Sequence, residues 1–363
     1  MDNLGDHVLG AGIFRALRTR HREARLIAVV PSGLAELYAR CPSIDAILTL
    51  PSHRSYLSDP QVWAEMHRLL ASGQRFDLVV NPRFAEDWYA AGAVSAALAG
   101  PAARVIAFRQ AHSPIPRYDP NRCYTELVDA AADLHAARYA AIMAQACTGR
   151  PAAAEPEVWF DAQDRQRVER QFDLQSQRYI VVGVGASFAF KRPALDIYRA
   201  VLARLQAESS RIVLVGSGAE SAFAEALRSH FAAADVVSAV GALRLYELAA
   251  LLSGARLFVG PDAGPKHIAA AVRAPVLEIG WVPTDYPITS RGPGTGGRCW
   301  AAWGTTSRTV SPSREQFDRA VASGTYDHQP IPGLDPEQIA RAIGELLESP
   351  RSFPTPDLEG QVA

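Results

Sequence analysis

The sequence predicts an α/β fold of two consecutive doubly wound, Rossmann-like domains. Short apolar runs alternate with stretches of helical hydrophobic spacing, which is the pattern of parallel strands joined by helices. The alternation stops at a segment rich in Pro and Ala, 149–156, and then starts again. The chain of 363 residues is long enough for two domains of ordinary size. We therefore expect an N-terminal domain over 1–150, a C-terminal domain over 157–334 and a last helix over 335–349.

The composition is that of a globular protein with ample core. Hydrophobic residues make up 48% of the chain and charged residues 21%, and the formal net charge is −1. That balance argues against nucleic acid as the main partner and is compatible with peripheral contact at a membrane surface. No signal peptide is visible, and no apolar run approaches the roughly 20 residues that span a bilayer. The four cysteines form no Cys-x-x-Cys pair, so we expect reduced thiols in a cytoplasmic protein and no zinc site.

In the first half, helical spacing begins at once. Apolar residues from Val8 to Leu17 form a stripe and predict a helix, while the Pro-rich stretch 112–120 predicts a loop. The other predicted elements are strands over 25–30, 46–50, 76–80 and 104–108, and helices over 32–40, 61–71, 87–99 and 125–146.

In the second half the same alternation returns. The predicted strands are 179–184, 211–216, 236–237, 257–260 and 275–280, and the predicted helices are 161–172, 195–205, 220–230 and 246–253. The Gly-rich segment 292–304 predicts a long loop, whose Trp300 and Trp303 could stack on a sugar or lie tucked on the surface. The last helix has a strong start, because Asp335 can cap it and Pro336 suits its first position.

The most informative stretch is 259–272, where an apolar strand runs through a short loop into a helix rich in small residues. Asp262 is suited to cap that helix, and Gly264 lets a ligand approach the backbone. The exposed amides and the helix dipole favour an anion, most simply a phosphate, with Lys266 and His267 as further donors. Asp262 is itself negative and better suits sugar hydroxyls. An ordinary strand-to-helix turn with a capping Asp is the alternative interpretation.

Three other segments place chemically useful residues at turns. Gly5-Asp6 opens the first helix, a Gly-rich turn over 183–187 precedes Lys191, and a second Gly-rich turn precedes Glu220. A Gly-rich turn with a nearby cation suits a diphosphate. Each also has a purely structural interpretation: a capping Asp, a solvated Lys, and a first-turn acid favoured by the helix dipole.

A longer pattern contains the helix start described above. It reads Asp262-x-Gly264-Pro265-x-His267-x-Ala269-Ala270-Ala271, then Pro275-Val276 and Pro283-Thr284-Asp285. This pattern resembles the donor-site signature of glycosyltransferase family 9, typified by the ADP-heptose heptosyltransferases of lipopolysaccharide assembly. Gly5-Asp6 and Gly185-Ala186-Ser187 with Lys191 match in the same order, so the resemblance covers most of the chain. It implies a GT-B fold, in which two Rossmann-like domains face a cleft and the last helix packs back towards the first domain.

The resemblance also implies roles for individual residues. Asp6 is expected to act as general base on the acceptor hydroxyl, and Lys191 to neutralise charge on the leaving nucleoside diphosphate. Asp2 and Asn3 are expected to help position the acceptor. The donor-binding residues implied are Ser187, Glu220, Asp262, Ala263, Gly264, Pro265, Lys266 and His267. His7 and the pair Ala11-Gly12 depart from the family pattern, which leaves the acceptor open.

Taken together, these features predict an inverting glycosyltransferase that moves heptose from an ADP-heptose-like donor to a glycan or glycolipid hydroxyl. We expect no cofactor and no metal, since the sequence has no Asp-x-Asp pair. The expected location is cytoplasmic, with peripheral contact at the inner membrane compatible. The alternatives are a GT-B-fold nucleotide-sugar epimerase or hydrolase, and a non-catalytic sugar-nucleotide-binding protein.

One expectation concerns the start of the chain. Doubly wound domains begin with a central strand whose carboxyl end carries the first functional turn. Here that turn comes at residues 2–6, so we expect an apolar strand of roughly 5–10 residues to precede Met1 in a longer, more stable version of the protein. The alternative is a true start with a strandless domain edge.

Overall fold

The computed structural model describes residues 3–50, 64, 68, 71–84, 91–110, 117, 119–131, 134–208, 211–232, 235–284, 297–324 and 333–349. These residues form two compact units, one ending at Glu157 and the other beginning at Val158. Each unit has its own hydrophobic core.

The first unit alternates helices and parallel strands. Its elements are α1 (Leu4–Gly10), α2 (Gly12–Arg20), β1 (Ile27–Pro31), α3 (Ala35–Tyr38), β2 (Ala46–Leu50), β3 (Phe76–Asn81), α4 (Ala91–Leu98), β4 (Ala99–Phe108), β5 (Glu126–Val128) and α5 (Ala136–Thr148). Strands β1 and β2 pair in one sheet, and β3, β4 and β5 form another in that order. Every pairing is parallel, as the predicted alternation requires.

One prediction in this unit is wrong. The single helix expected over 125–146 is instead the strand β5 followed by the helix α5. Strand β5 continues the sheet because Thr125 Oγ1 accepts a hydrogen bond from the Val105 amide at 2.8 Å and the next residues pair with β4. Helix α5 starts only after His135, whose ring accepts from the Ala137 amide. Sheet pairing therefore outweighs the helical propensity of this Ala-rich stretch.

The second unit carries the more complete sheet. Its elements are α6 (Ala162–Gln171), β6 (Tyr179–Gly183), α7 (Leu195–Gln206), β7 (Arg211–Val215), α8 (Ser221–Arg228), β8 (Val236–Ser238), α9 (Leu245–Ser253), β9 (Leu257–Pro261), α10 (Gly264–Ala271), β10 (Val276–Ile279), β11 (Ser307–Val310), α11 (Arg314–Ala322) and α12 (Pro336–Glu348). Strand β11 and helix α11 were not predicted. The other strands lie within a residue or two of their predicted bounds.

The six strands of this sheet run in the order β11-β10-β9-β6-β7-β8, and all neighbours are parallel. Counted from β6, this is the Rossmann order. Successive strands are added to one side of β6 up to β8, and the order then reverses, because β9 pairs on the other side of β6. Ligands of such sheets bind outside the carboxyl ends of the strands at this reversal. Glycines allow the two strands to pack closely there, since a Cβ on Gly183 or Gly260 would lie under 3.0 Å from the Phe258 ring.

Helix α12 buries its apolar face in the core of its own unit. Ile339, Ile343 and Leu346 lie in the same buried cluster as strands β6, β7 and β10. Its start is as predicted, because Asp335 Oδ1 accepts from the Glu337 amide at 2.9 Å. The packing of this helix towards the first unit and the predicted domain ranges stay predictions.

None of the helices in the described part of the chain is both long and apolar enough to cross a membrane.

Candidate functional site

Most of the predicted site residues lie near the point where the strand order of the Rossmann sheet reverses. Lys191 follows strand β6, Asp262 follows strand β9, and Glu220 follows strand β7. Because these strands are parallel neighbours in the sheet, their carboxyl ends bring residues distant in sequence to one edge. The family resemblance had put these three turns in one donor site.

Asp262 is the centre of the cluster. Its Oδ2 accepts hydrogen bonds from Lys191 Nζ at 2.8 Å and from Trp281 Nε1 at 3.0 Å, while its Oδ1 accepts from Lys266 Nζ at 2.6 Å. The side chain is only 10% exposed. Burial alone would raise the pKa of Asp262, but the charges of Lys266 and Lys191 outweigh it and hold that pKa well below its ordinary value. Asp262 is therefore an anion with both oxygens engaged by its own chain.

Lys266 lies beneath Asp262 and is completely buried. Its Nζ also donates to the Trp300 carbonyl at 2.6 Å and lies 3.1 Å from Glu278 Oε2. Burial lowers the pKa of Lys266, but Asp262 and Glu278 together raise it above its ordinary value, so the ammonium stays charged. Three protein oxygens surround this Nζ and none of the side chain is exposed, so the predicted role of Lys266 as a direct donor to a ligand stays a prediction.

Lys191 is the cation of the cluster that solvent can reach, with 22% of its side chain exposed. Besides its bond to Asp262, its Nζ lies 5.1 Å from the centre of the Trp281 ring, in a cation–π arrangement. Trp281 in turn packs against Phe190, with ring centres 5.0 Å apart. The long, flexible lysine is therefore held at two points while remaining accessible to an anion.

The start of helix α10 differs from the prediction in one detail. The N-cap is Ala263, in extended backbone conformation, and Asp262 lies one residue earlier. Asp262 therefore does not cap the helix, because its carboxylate turns to the two lysines instead. Gly264 and Pro265 form the first turn as expected, so backbone amides and the positive end of the dipole lie beside Asp262.

His267 is buried behind the same carboxylate. Its side chain is 4% exposed, and its Nε2 lies 4.0 Å from Asp262 Oδ1. The Trp300 ring meets it edge-on, with centres 6.4 Å apart. Of the two interpretations weighed for Trp300, the described contacts are those of a residue tucked against the protein, since its carbonyl also accepts from Lys266.

Glu220 makes local contacts and lies at the carboxyl edge of the sheet. Its Oε2 accepts from the Ser217 amide at 2.8 Å and from Ser217 Oγ at 2.7 Å, which stabilises the start of helix α8. It also lies against Gly185, where an added Cβ would be 2.9 Å from Glu220 Oε2. Ser187, two residues further on, is exposed. Glu220 and the Gly185–Ser187 turn are thus adjacent at the carboxyl edge of the sheet.

The acceptor-side residues belong to the first unit. Asp6 Oδ2 accepts from the Asn3 amide at 2.6 Å, so the carboxylate helps to start helix α1. Asp2 lies outside the described residues. The neighbouring His7 donates to or accepts from Tyr38 Oη through Nδ1 at 2.7 Å, and burial lowers its pKa to about 4. The structural interpretation of Asp6 is therefore realised, and its role as a base stays a prediction.

Two residues of the cluster were missed by the sequence reasoning. Trp281 comes two residues after the end of strand β10, and Glu278 lies within it as the single acidic residue of that otherwise apolar, buried strand. An acid in such a strand is a signal that could have been used, because a buried carboxylate needs a partner. Among the residues the structure describes, no group of three or more His, Cys, Asp or Glu side chains is arranged to hold a metal ion.

Comparison with known proteins places the chain in a family. The family model of glycosyltransferase family 9 (heptosyltransferase) matches residues 86–285, which is more than half of the chain. Lipopolysaccharide heptosyltransferase 3 of Escherichia coli strain K12 is 26% identical over 210 residues, covering 54% of each chain. The chain thus aligns with about half the length of this curated relative.

Solved structures share the fold over nearly the whole chain. The glycosyltransferase family 9 protein of Veillonella parvula superposes with a TM-score of 0.72 at 14% identity, covering 96% of this chain and 95% of the other. The E. coli heptosyltransferase WaaC with ADP gives 0.67 at 16% identity, covering 95% and 98%. These likenesses confirm the predicted α/β, GT-B fold class. With its matched family model, the chain belongs to glycosyltransferase family 9, the heptosyltransferase family.

Proposed function

We propose that this chain is an inverting glycosyltransferase that moves heptose from ADP-heptose to a hydroxyl of lipopolysaccharide or another glycan. The observation that carries the proposal is the partly exposed Lys191, held by Asp262 beside the helix start at the reversal of a Rossmann sheet. Family membership supports it. So does the likeness to a heptosyltransferase whose structure was determined with ADP.

On the donor side, the chemistry requires stabilisation of a leaving diphosphate. Negative charge grows on the leaving oxygen as the glycosidic bond breaks, and a positioned cation stabilises it more in the transition state than in the ground state. Lys191 has the needed charge and exposure, and the amides at the start of α10 add partial positive charge. Glu220 and Ser187 contact the nucleoside and the phosphates in this proposal.

On the acceptor side, a carboxylate must take the proton of the attacking hydroxyl. Asp6 is the residue we assign to this role, with Asp2 and Asn3 positioning the acceptor. Its bond to the Asn3 amide keeps the carboxylate in a fixed orientation. A general base of this kind needs no metal ion. The acceptor in this proposal is a glycan or a glycolipid. A glycolipid acceptor lies in the membrane, and the protein then contacts the inner membrane surface peripherally.

The test separates transfer from the two alternatives. The protein is incubated with ADP-heptose, with and without heptose-deficient lipopolysaccharide core, and products are followed by mass spectrometry. Transfer to the core with little hydrolysis in its absence supports the proposal. Release of ADP or an epimerised sugar without transfer indicates an epimerase or hydrolase, and binding without turnover indicates a binding protein.

Two variants make the assay specific. Lys191→Ala removes the exposed cation and should lower transfer strongly. Arg204→Ala is the matched control, because Arg204 on helix α7 pairs with Glu208 just beyond that helix and takes no part in the cluster. Loss of transfer in both variants, or in neither, contradicts the assignment of Lys191.

A further inference from the structure

The buried pair formed by Lys266 and Glu278 has no obvious structural need. Both side chains are at most 5% exposed, and Lys266 Nζ lies 3.1 Å from Glu278 Oε2. Removing two charges from water costs more than their attraction usually returns, so apolar residues of similar size would serve a core at least as well. All the other residues of strand β10 are apolar and buried. A contribution to stability therefore does not explain the pair.

The geometry points from this pair to Asp262. An ammonium group has three protons, and the Lys266 Nζ faces Asp262 Oδ1, the Trp300 carbonyl and Glu278 Oε2. Lys266 is thereby held by two hydrogen bonds and by the nearby charge of Glu278, and it fixes one carboxylate oxygen of Asp262. The other oxygen, Oδ2, is left to Lys191 and Trp281. Lys266 thus decides which face of the carboxylate Lys191 meets.

The charge balance of the cluster indicates what Glu278 does. Two carboxylates, Asp262 and Glu278, face two ammonium groups, Lys191 and Lys266, so the cluster is neutral when all four are ionised. Without the charge of Glu278, the two lysines would share a single carboxylate. Lys266 lies away from water and would then draw Asp262 more strongly, at the expense of Lys191.

We propose that Lys266 and Glu278 are positioning residues, which together fix Asp262 and so hold Lys191 in the orientation that meets the diphosphate. This inference rests on the proposed function. It gives Lys266 a role other than direct contact with the donor, and it gives Glu278 a role in the same site.

The ionisation of Glu278 offers a direct readout. Burial raises its pKa to about 6, an effect that Lys266 opposes in part. The charged groups that face it are Lys266 from helix α10, Asp262 from the end of β9 and Lys191 from the segment after β6, with His267 behind Asp262. As the pH falls below 6, Glu278 becomes increasingly protonated, and the charge of the wild-type cluster approaches that of a Glu278→Gln variant.

The first experiment compares Glu278→Gln with the wild type by calorimetric titration of ADP between pH 5.5 and 8. At pH 8 the variant cluster has one more positive charge, so ADP should bind about tenfold more tightly than to the wild type. At pH 5.5 the two affinities should converge. Transfer by the variant should have a kcat about tenfold lower at pH 8, because Lys191 has lost its orientation.

The second experiment replaces the whole pair, as Lys266→Met with Glu278→Met. The double variant loses one positive and one negative buried charge, and Asp262 keeps Lys191 and Trp281 as partners, so it should melt close to the wild-type temperature. Its kcat should nevertheless fall about tenfold or more, since Asp262 has lost its anchor. A merely structural pair would not lower kcat while leaving the melting temperature nearly unchanged.

Asp164→Asn is the matched control. Asp164 is a completely buried carboxylate of the same unit, paired with Arg167 at the start of helix α6. Its replacement should lower the melting temperature and leave ADP affinity and kcat unchanged. A double Met variant with wild-type kcat, or a Glu278→Gln variant with the wild-type pH profile, overturns the inference. Wild-type protein that binds no ADP contradicts the proposed function instead, and the positioning role falls with it.

Discussion

Replacing Asp262 by Asn tests whether the cluster is ionised as the contacts indicate. Asn keeps the shape of the side chain and one acceptor oxygen but loses the negative charge. Two ammonium groups, at 2.6 and 2.8 Å, would then face a neutral amide. Lys191 can turn to solvent, because it is 22% exposed, but Lys266 cannot, because none of it is exposed.

The size of the effect follows from what remains around Lys266. Removing one partner of a buried ion pair costs about 3–5 kcal/mol, and Glu278 still faces Lys266 at 3.1 Å, so we expect the lower end, about 3 kcal/mol. For a unit of this size each kcal/mol shifts the melting temperature by about 2–4 °C. The variant should therefore melt roughly 6–12 °C below the wild type.

The assay is a melting curve at pH 7.5, combined with titration of ADP and measurement of transfer. ADP should bind the Asn variant at least as tightly as the wild type, because a negative charge beside the diphosphate is gone. Discrimination between donor sugars should weaken, since the proposed contact to sugar hydroxyls is lost. A melting temperature within about 2 °C of the wild type would refute the ion-pair reasoning.

Three further predictions concern other residues. Asp6→Asn should keep donor affinity and lower transfer by about 100- to 10,000-fold, and transfer within a few-fold of the wild type rules Asp6 out as the base. Lys191→Ala should lower kcat more than it lowers ADP affinity, because its charge acts mainly in the transition state; equal losses in single-turnover and binding measurements contradict this. His7 binds a proton in the unfolded chain below about pH 6.5 and in the folded protein only below about 4, so the free energy of unfolding should fall by at most ~3 kcal/mol as pH drops through that window. Urea titrations of His7→Gln should show a shallower fall, and an unchanged slope contradicts it.

The fold could be predicted largely because buried parallel strands are continuous apolar runs. Strands β6 and β7 are buried at almost every position, so composition alone marks them. The failures are short or peripheral. Strand β5 has three residues, too few to show a period, and its conformation is set by its pairing with β4. Strand β11 pairs with β10 at the edge of the described sheet, and three of its four residues are polar.

The site was predictable in its location and less so in its contacts. Asp262 and Lys191 were both chosen from turns that follow strands, and parallel pairing of such strands brings their carboxyl ends together. The residues adjacent in sequence do not determine the direction in which a side chain points. Lys266 follows a turn suited to phosphate, yet its side chain points into the protein because Asp262 and Glu278 lie there. Trp281 belongs to the cluster through its indole N–H, which donates to Asp262, and through its ring, which lies against Lys191 Nζ.

The lone pairs of Asp262 limit how a sugar can reach it. A carboxylate has about four acceptor positions. Among the contacts in the described part of the chain, Lys191 and Trp281 use two on Oδ2, and Lys266 uses one on Oδ1. A sugar hydroxyl can therefore bind at the remaining position on Oδ1, or at the position on Oδ2 that Lys191 leaves when it turns to a diphosphate. In the second case the phosphates must bind before Asp262 can bind the sugar hydroxyl. The Lys191→Ala substitution would leave that position on Oδ2 open permanently. The variant should then bind free sugar without ADP, whereas wild-type protein should need ADP first.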